Sequence, residues 1–254
     1  MTRIGMGGIT LTGRDVTIPA DGTELPVMIY EPIGSAPAPA VVLCPGGVGT
    51  GLFEIVEWIA APLRDAGFLV VTMNWRSGHP EHDADDVRAA IDWIATHAEA
   101  DASRIGVFGL SRGGNAALRA AARDPRLKVV VTFGPVTDLL QQAEGVRHYA
   151  PGRYKMFVDW LGDPTERKED YRRLSAITYA GSIRQPLLMV HGLHDMHSPP
   201  EQSIWMKEAI ERGGNDDIRL ELMPLMSHYG DVVPNRFAFE ELRAIIIPYL
   251  RERL

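Results

Sequence analysis

Cys44 is the only cysteine in 254 residues, so no internal disulfide forms and the fold does not depend on an oxidising compartment. Basic residues are outnumbered, 26 Lys and Arg against 33 Asp and Glu, for a net charge of −7. No basic stripe marks a nucleic-acid partner. Met1-Thr2-Arg3-Ile4-Gly5 lacks the apolar core of a secretory signal, and no apolar run is long enough to span a bilayer. Internal repeats and low-complexity linkers are also missing. These absences together point to a cytoplasmic protein, and nothing in them excludes a homo-oligomer.

What is present is ordinary for a globular chain, with 45% hydrophobic and 23% charged residues. The length suits one large α/β domain or two small ones. The most informative stretch runs from Arg104 to Ala117. It reads as an apolar strand, a sharp turn with Ser111 at its tip, and a helix of small residues. Gly109-x-Ser111-x-Gly113 is the nucleophile-elbow pattern of α/β-hydrolases. A side chain at position 109 or 113 would collide with the neighbouring strand or helix, and Ser111 is forced into strained backbone angles. The outcome is a hydroxyl exposed at the carboxyl edge of a sheet, beside the positive end of a helix.

Residues 14–18 and 25–31 alternate around Asp21-Gly22, predicting an antiparallel hairpin, and residues 33–39 read as a loop. Ala40 to Cys44 is a strand buried on both faces and ends in Pro45-Gly46-Gly47. A helix over 53–66, a strand from Phe68 to Met73 and a helix over 84–98 follow, the last opened by Asp85 and Asp86. Leu127 to Phe133 is another apolar strand. Residues 138–182 break the alternation and predict short helices and loops, rich in aromatics such as Tyr149, Phe157, Trp160 and Tyr171. Pro186 to Val190 returns to a buried strand. A helix over 201–212, an edge-like strand from Ile218 to Met223 and a helix over 235–253 with a kink at Pro248 complete the chain. This order predicts an α/β fold: a mostly parallel sheet of about eight strands, an antiparallel N-terminal hairpin and helices on both faces. Ligands then sit beyond the carboxyl ends of the strands.

From about Val16 onward the chain resembles the α/β-hydrolase superfamily, and most closely the prolyl oligopeptidase catalytic domain with its esterase and dienelactone-hydrolase-like relatives. The most specific stretch is Ser175 to Asp195, which closes in His191-Gly192-Leu193-His194-Asp195. The resemblance implies a single hydrolase domain over 1–254, with residues 138–182 as a small cap-like insertion. In that family the aspartate sits in such a turn and the histidine about thirty residues later; here these are Asp195 and His228. The family's peptidases carry a preceding β-propeller, for which this chain has no room. Small, open-access substrates such as esters are therefore favoured.

The chemistry agrees with the pattern. A serine hydroxyl is a poor nucleophile until a base takes its proton, and that base needs an orienting carboxylate. His228 lies in a loop just past the strand 218–223, and Asp195 in the loop after 186–190 at the same sheet edge. Asp195 also suits an Asx-turn or helix cap, and Asp138 and Asp231 are weaker rivals for the orienting role. Of the two oxyanion donors, one is the Arg112 N–H at the start of its helix. Alignment with the family's His-Gly-Gly makes Gly47 the second, with Val48 next. Pro45 replaces the motif's histidine.

The Arg112 side chain is expected to pair with a structural acid such as Glu54 or Asp138, rather than with a substrate carboxylate. Val48, Trp75 and Tyr229 are candidate substrate contacts. His191 is expected under the active site as a hydrogen-bonded residue. The grouping His79, His82 and Asp83 suggests a rim role, and Cys44 a small buried residue. Neither this grouping nor His191, His194, Asp195 and His197 supports a metal, and no cofactor is required. The predicted activity is that of a serine hydrolase cleaving carboxylic esters through an acyl-enzyme on Ser111. A peptidase on short or N-blocked peptides, an acyltransferase and, ranked low, a non-catalytic binding module are the alternatives. The partner is a small-molecule ester or short peptide.

Overall fold

The computed structural model describes residues 3–4, 10–34, 36–51, 53–229 and 235–254. Eight strands form one sheet: β1 (Arg14–Ala20), β2 (Thr23–Tyr30), β3 (Ala38–Cys44), β4 (Leu69–Met73), β5 (Ala100–Leu110), β6 (Leu127–Phe133), β7 (Leu187–Gly192) and β8 (Ile218–Met223). Their spatial order is β8-β7-β6-β5-β3-β4-β2-β1. The first two strands form an antiparallel hairpin that joins the sheet antiparallel to β4. All other neighbours run parallel. At the hairpin tip Asp21 and Gly22 both have positive φ, 46° and 78°. That is the backbone a two-residue turn needs to follow the strand twist.

Alternation along the central strands sorts the core into two layers. Val42 of β3, Val107 of β5 and Val130 of β6 pack with Val87 and Ile91 of α2 (Asp83–Ile94), with Ala117 of α3 (Arg112–Ala121) and with Met206 of α7 (Glu201–Arg212). Val41, Phe108 and Val131 face the opposite layer. There they meet Ile59 and Leu63 of α1 (Glu57–Asp65) and Leu242 and Ile246 of α8 (Asn235–Arg253). The run predicted as a helix over 53–66 opens as a 3-10 turn, Phe53–Val56, before α1. The helix predicted over 84–98 starts one residue earlier and stops at Ile94. Pro248 lies inside α8, which remains one helix through it. No helix among the described residues is long and apolar enough to cross a membrane.

Residues 138–182 leave the sheet after β6 and rejoin it at β7. They form α4 (Leu139–Tyr149), α5 (Pro151–Leu161), α6 (Lys168–Leu174) and a 3-10 stretch, Ala176–Ser182. Their apolar faces build a third cluster, with Leu139, Val146, Phe157, Tyr171 and Leu174 at its centre. The aromatics of this segment are thus mainly packing residues, although Phe157 and Trp160 also reach the large cavity described below.

The tightest packing lies where β5 turns into α3. A Cβ on Gly109 would overlap the carbonyl of Gly113, and one on Gly113 would overlap the carbonyl of Cys44 at the end of β3. Both obstacles are backbone and cannot rotate away. Gly113→Ala is expected to cost about 3 kcal/mol or more, lowering the thermal midpoint by roughly 6–12 °C in a chain of this size. Gly152→Ala, whose Cβ would enter open space, should shift stability by less than about 0.5 kcal/mol. Circular dichroism melts of the two variants check this.

Candidate active site

The elbow holds Ser111 at φ 55°, ψ −116°, a conformation that costs a non-glycine residue of order 1–3 kcal/mol unless its surroundings impose it. Here they do. The Ser111 N–H donates to the Phe133 carbonyl at the end of β6 (3.0 Å), and its own carbonyl accepts from Gly114 N–H (2.9 Å). The backbone of Gly46 closes the other side, where an added Cβ would come within 3.2 Å of Ser111 Cβ. The hydroxyl faces a cavity of about 1000 Å³ that lies over the carboxyl edge of the sheet.

His228 lies beyond β8 and is buried, and its ring borders the same cavity. Its Nδ1 donates to Asp195 Oδ2 at 2.6 Å. A carboxylate only accepts, so Nδ1 carries the hydrogen and Nε2 is the basic nitrogen. Asp195 serves two structures at once. Oδ1 accepts from the N–H groups of His197 (2.8 Å) and Ser198 (2.7 Å), closing an Asx turn, while Oδ2 meets the imidazole. Burial by itself would raise the Asp195 carboxyl. The His191 imidazole 3.4 Å away and hydrogen bonds from His228 and the Ser198 N–H outweigh it and hold the group well below the usual carboxylate range. Gly134, at φ 53°, lets its backbone press against this pair: a Cβ there would sit 3.1 Å from Asp195 Oδ2 and 3.2 Å from His228 Nδ1. Ser111 and His228 thus share one cavity, though their side chains are not hydrogen-bonded to each other in this structure.

His191 lies beneath, fully buried. Its Nε2 donates to the Ser198 carbonyl and its Nδ1 meets the Ser203 hydroxyl, both at 2.7 Å. Gly192 permits this turn to pack, because a Cβ would overlap the Met226 carbonyl. Asp138 caps α4 through Gln141 N–H at 3.0 Å, and Asp231 lies outside the described residues. Gly47, at φ 91°, and Val48 lie on the loop after β3, on the cavity wall with Arg112. Tyr229 also lines the cavity, edge-on to His228 with ring centroids 5.0 Å apart. Cys44 is buried.

Three expectations need correction. Trp75 is 1% exposed and does not reach the cavity wall. It packs beneath the glycine loop, close enough that a Cβ on Gly51 would sit 2.9 Å from its ring. His79 is not a rim contact: its Nδ1 accepts from Glu81 N–H at 3.3 Å, and the ring does not line the cavity. His82 is equally outside the cavity, 4.0 Å from Asp85. Arg112 does pair with a structural acid, but the acid is Asp83, not Glu54 or Asp138. Nε and Nη2 each bond a carboxylate oxygen at 2.7 Å. The guanidinium also donates to the carbonyls of Gly49 (2.6 Å) and Ser77 (3.2 Å) and lies between the rings of Trp75 and Trp160. It thereby joins the loop after β3, the loop after β4 and the start of α2 to the elbow. Burial raises the Asp83 carboxyl, an effect that Arg112 opposes. The sequence signal for Asp83 was an acid at the start of an apolar-faced helix; its distance from Arg112 in the chain hid the pairing.

The arrangement of sheet and elbow is that of an α/β-hydrolase. The chain belongs to the prolyl oligopeptidase family of serine hydrolases, whose family model matches residues 55–246. In sequence it is 31% identical over 115 residues to cutinase est1 of Thermobifida alba, a match covering 42% of this chain and 38% of the cutinase. In structure it superposes on Pyrococcus horikoshii acylaminoacyl peptidase with a TM-score of 0.80 at 18% identity, over 95% of this chain and 42% of the peptidase. A puromycin hydrolase superposes with a TM-score of 0.79 at 24% identity, over 95% of this chain and 40% of the hydrolase. The chain thus spans about two fifths of the length of these relatives, and the structural likenesses speak for the fold.

Removing the charge beneath Arg112 tests its structural role. Asp83→Asn leaves a buried guanidinium without its anion and should cost about 3–5 kcal/mol in urea unfolding. Asp85→Asn, a half-buried acid in the first turn of the same helix with no arginine partner among the described residues, should cost about 1 kcal/mol or less.

Proposed function

We propose that this protein is a serine hydrolase that cleaves carboxylic esters, with Ser111 as nucleophile, His228 as base and Asp195 as the carboxylate that orients it. The observation that carries this reading is the Asp195–His228 hydrogen bond at 2.6 Å, in the cavity that the strained Ser111 faces. His228 Nε2 takes the hydroxyl proton as Ser111 Oγ attacks the ester carbonyl. The N–H groups of Arg112 and Gly47 receive the oxyanion. Collapse expels the alcohol, protonated by His228, and leaves an acyl-serine. Water, deprotonated by the same ring, then releases the acid. No step calls on a cofactor. Helices α4 to α6 act as a cap whose Phe157 and Trp160, with Val48 and Tyr229, contact the substrate.

Apolar walls from Trp58, Phe157, Trp160 and Phe239 suit an uncharged acyl or alcohol chain, and the likeness to a cutinase supports ester cleavage. Family membership favours a second reading, hydrolysis of short or N-blocked peptides. Turnover of short-chain 4-nitrophenyl esters against aminoacyl 4-nitroanilides separates the two, and ester turnover is expected to be the faster. Ser111→Ala should abolish labelling by a fluorophosphonate probe and lower kcat by about 10⁶-fold. Asp195→Asn should keep the labelled serine but lower kcat by about 10⁴-fold, because the imidazole loses its preferred tautomer.

A further inference from the structure

The cavity wall carries three arginines, Arg112, Arg153 and Arg243. Arg112 is neutralised by Asp83. Arg243 donates to the Trp58 carbonyl in α1. Arg153, on α5, is different. Its Nη2 donates to the His197 carbonyl at 2.7 Å and its Nη1 reaches the Met196 carbonyl at 3.4 Å. Its Nε is buried and has no hydrogen-bond partner. No carboxylate among the described residues forms an ion pair with it. Three acids share this wall: Glu57 is bonded by Tyr30, Asp83 by Arg112, and Glu54 lies in the 3-10 turn before α1, with no ion pair to Arg153. The anionic or ionisable groups whose charge reaches Arg153 are Tyr149, Tyr229 and Asp195, and burial pushes its pKa down. Asp195 is already held by His228, His197 and Ser198.

A half-buried guanidinium without a counter-ion is costly. Its fork geometry matches a carboxylate, which can take two parallel N–H bonds. The position is also informative. Arg153 is bonded to the backbone of His197, whose ring stacks on His228 at 5.4 Å between centroids. The cation therefore sits close to the His228 ring, in a cavity whose wall also carries the apolar Trp58–Phe239 pair, with rings stacked at 4.8 Å.

We propose that Arg153 is the specificity residue for substrates bearing a free carboxylate, with the cavity taking an ester that is anionic at one end and apolar at the other. The inference rests on the ester-hydrolase reading above for its chemistry, but not for its binding.

Two substrate pairs test it and locate the charge. On the acyl side, 4-nitrophenyl hydrogen succinate is compared with 4-nitrophenyl pentanoate. On the alcohol side, the acetyl ester of 4-hydroxybenzoate is compared with that of its methyl ester. In Arg153→Gln the charged-to-neutral ratio of kcat/KM should fall about 10- to 100-fold in one pair, the size of a lost charge-assisted bidentate contact, and Arg153→Lys should restore part of it. A ratio unchanged within about twofold in both pairs overturns the proposal. That includes the case where both substrates fall together because Arg153 only braces the Met196 and His197 carbonyls. Calorimetry on Ser111→Ala protein needs no turnover: in one of the two pairs the charged ester should bind about tenfold or more tighter than its neutral partner, less so as salt rises. Equal binding of the members of both pairs overturns the proposal even where ester hydrolysis stands. Tighter binding of a charged ester by a wild-type protein that hydrolyses none of the four sustains it and defeats the esterase reading instead.

Discussion

Backbone packed directly on backbone at the elbow is the constraint on which the rest of the structure depends. The start of α3 touches the ends of β3 and β5 so closely that Gly109 and Gly113 have no room for a methyl group. That contact aims the first turn of α3 at the cavity and forces Ser111 to positive φ. It also brings the loop after β3 alongside, with Gly46 against the Ser111 Cβ. The loop after β3 and the start of α3 then lie together on the cavity wall.

The charges near the cavity follow a common economy, in which each buried ion meets more than one need. Asp195 closes its own turn with one oxygen and holds an imidazole with the other. Arg112 neutralises Asp83 while gathering the carbonyls of two loops, with a tryptophan on each face. Such multiply bonded groups keep a single geometry, because any other arrangement leaves a donor or acceptor unsatisfied in a low dielectric. Arg153 departs from this pattern: its Nη1 and Nη2 donate to carbonyls, and no carboxylate among the described residues forms an ion pair with it. A binding site is where such a departure is expected, since the missing partner is then the ligand.

Much of this was legible in the linear chain, for local reasons. The buried strands announce themselves as continuous apolar runs, and the Asp21-Gly22 hairpin by its two positive-φ residues. The elbow is marked by glycines that sterics make obligatory. The family resemblance singled out Asp195 and His228, topology put their loops at one sheet edge, and the structure has a 2.6 Å bond between them. The failures have a common cause as well. Trp75 sits at a strand end on the correct side of the sheet, yet the loop Pro45–Gly51 folds over it and seals it from the cavity. The histidines at 79 and 82 were misread because a loop's position does not say which way its side chains turn. Residues 138–182 offered no period to read, so nothing marked Arg153 as a cavity residue, and only the aromatic character of the segment hinted at Phe157 and Trp160.

The order of apolar runs and the compulsory glycines determined the parallel sheet, the elbow and the edge at which chemistry would be found. Those are consequences of short-range sterics and of burying alternate faces. Which acid answers which base was decided only by the tertiary structure. Asp83 is 29 residues from Arg112 in the chain, Asp195 is 33 from His228, and Arg153 lies 44 from the carbonyl it touches. Pairings over such separations depend on how loops pack against one another, and no local pattern encodes that.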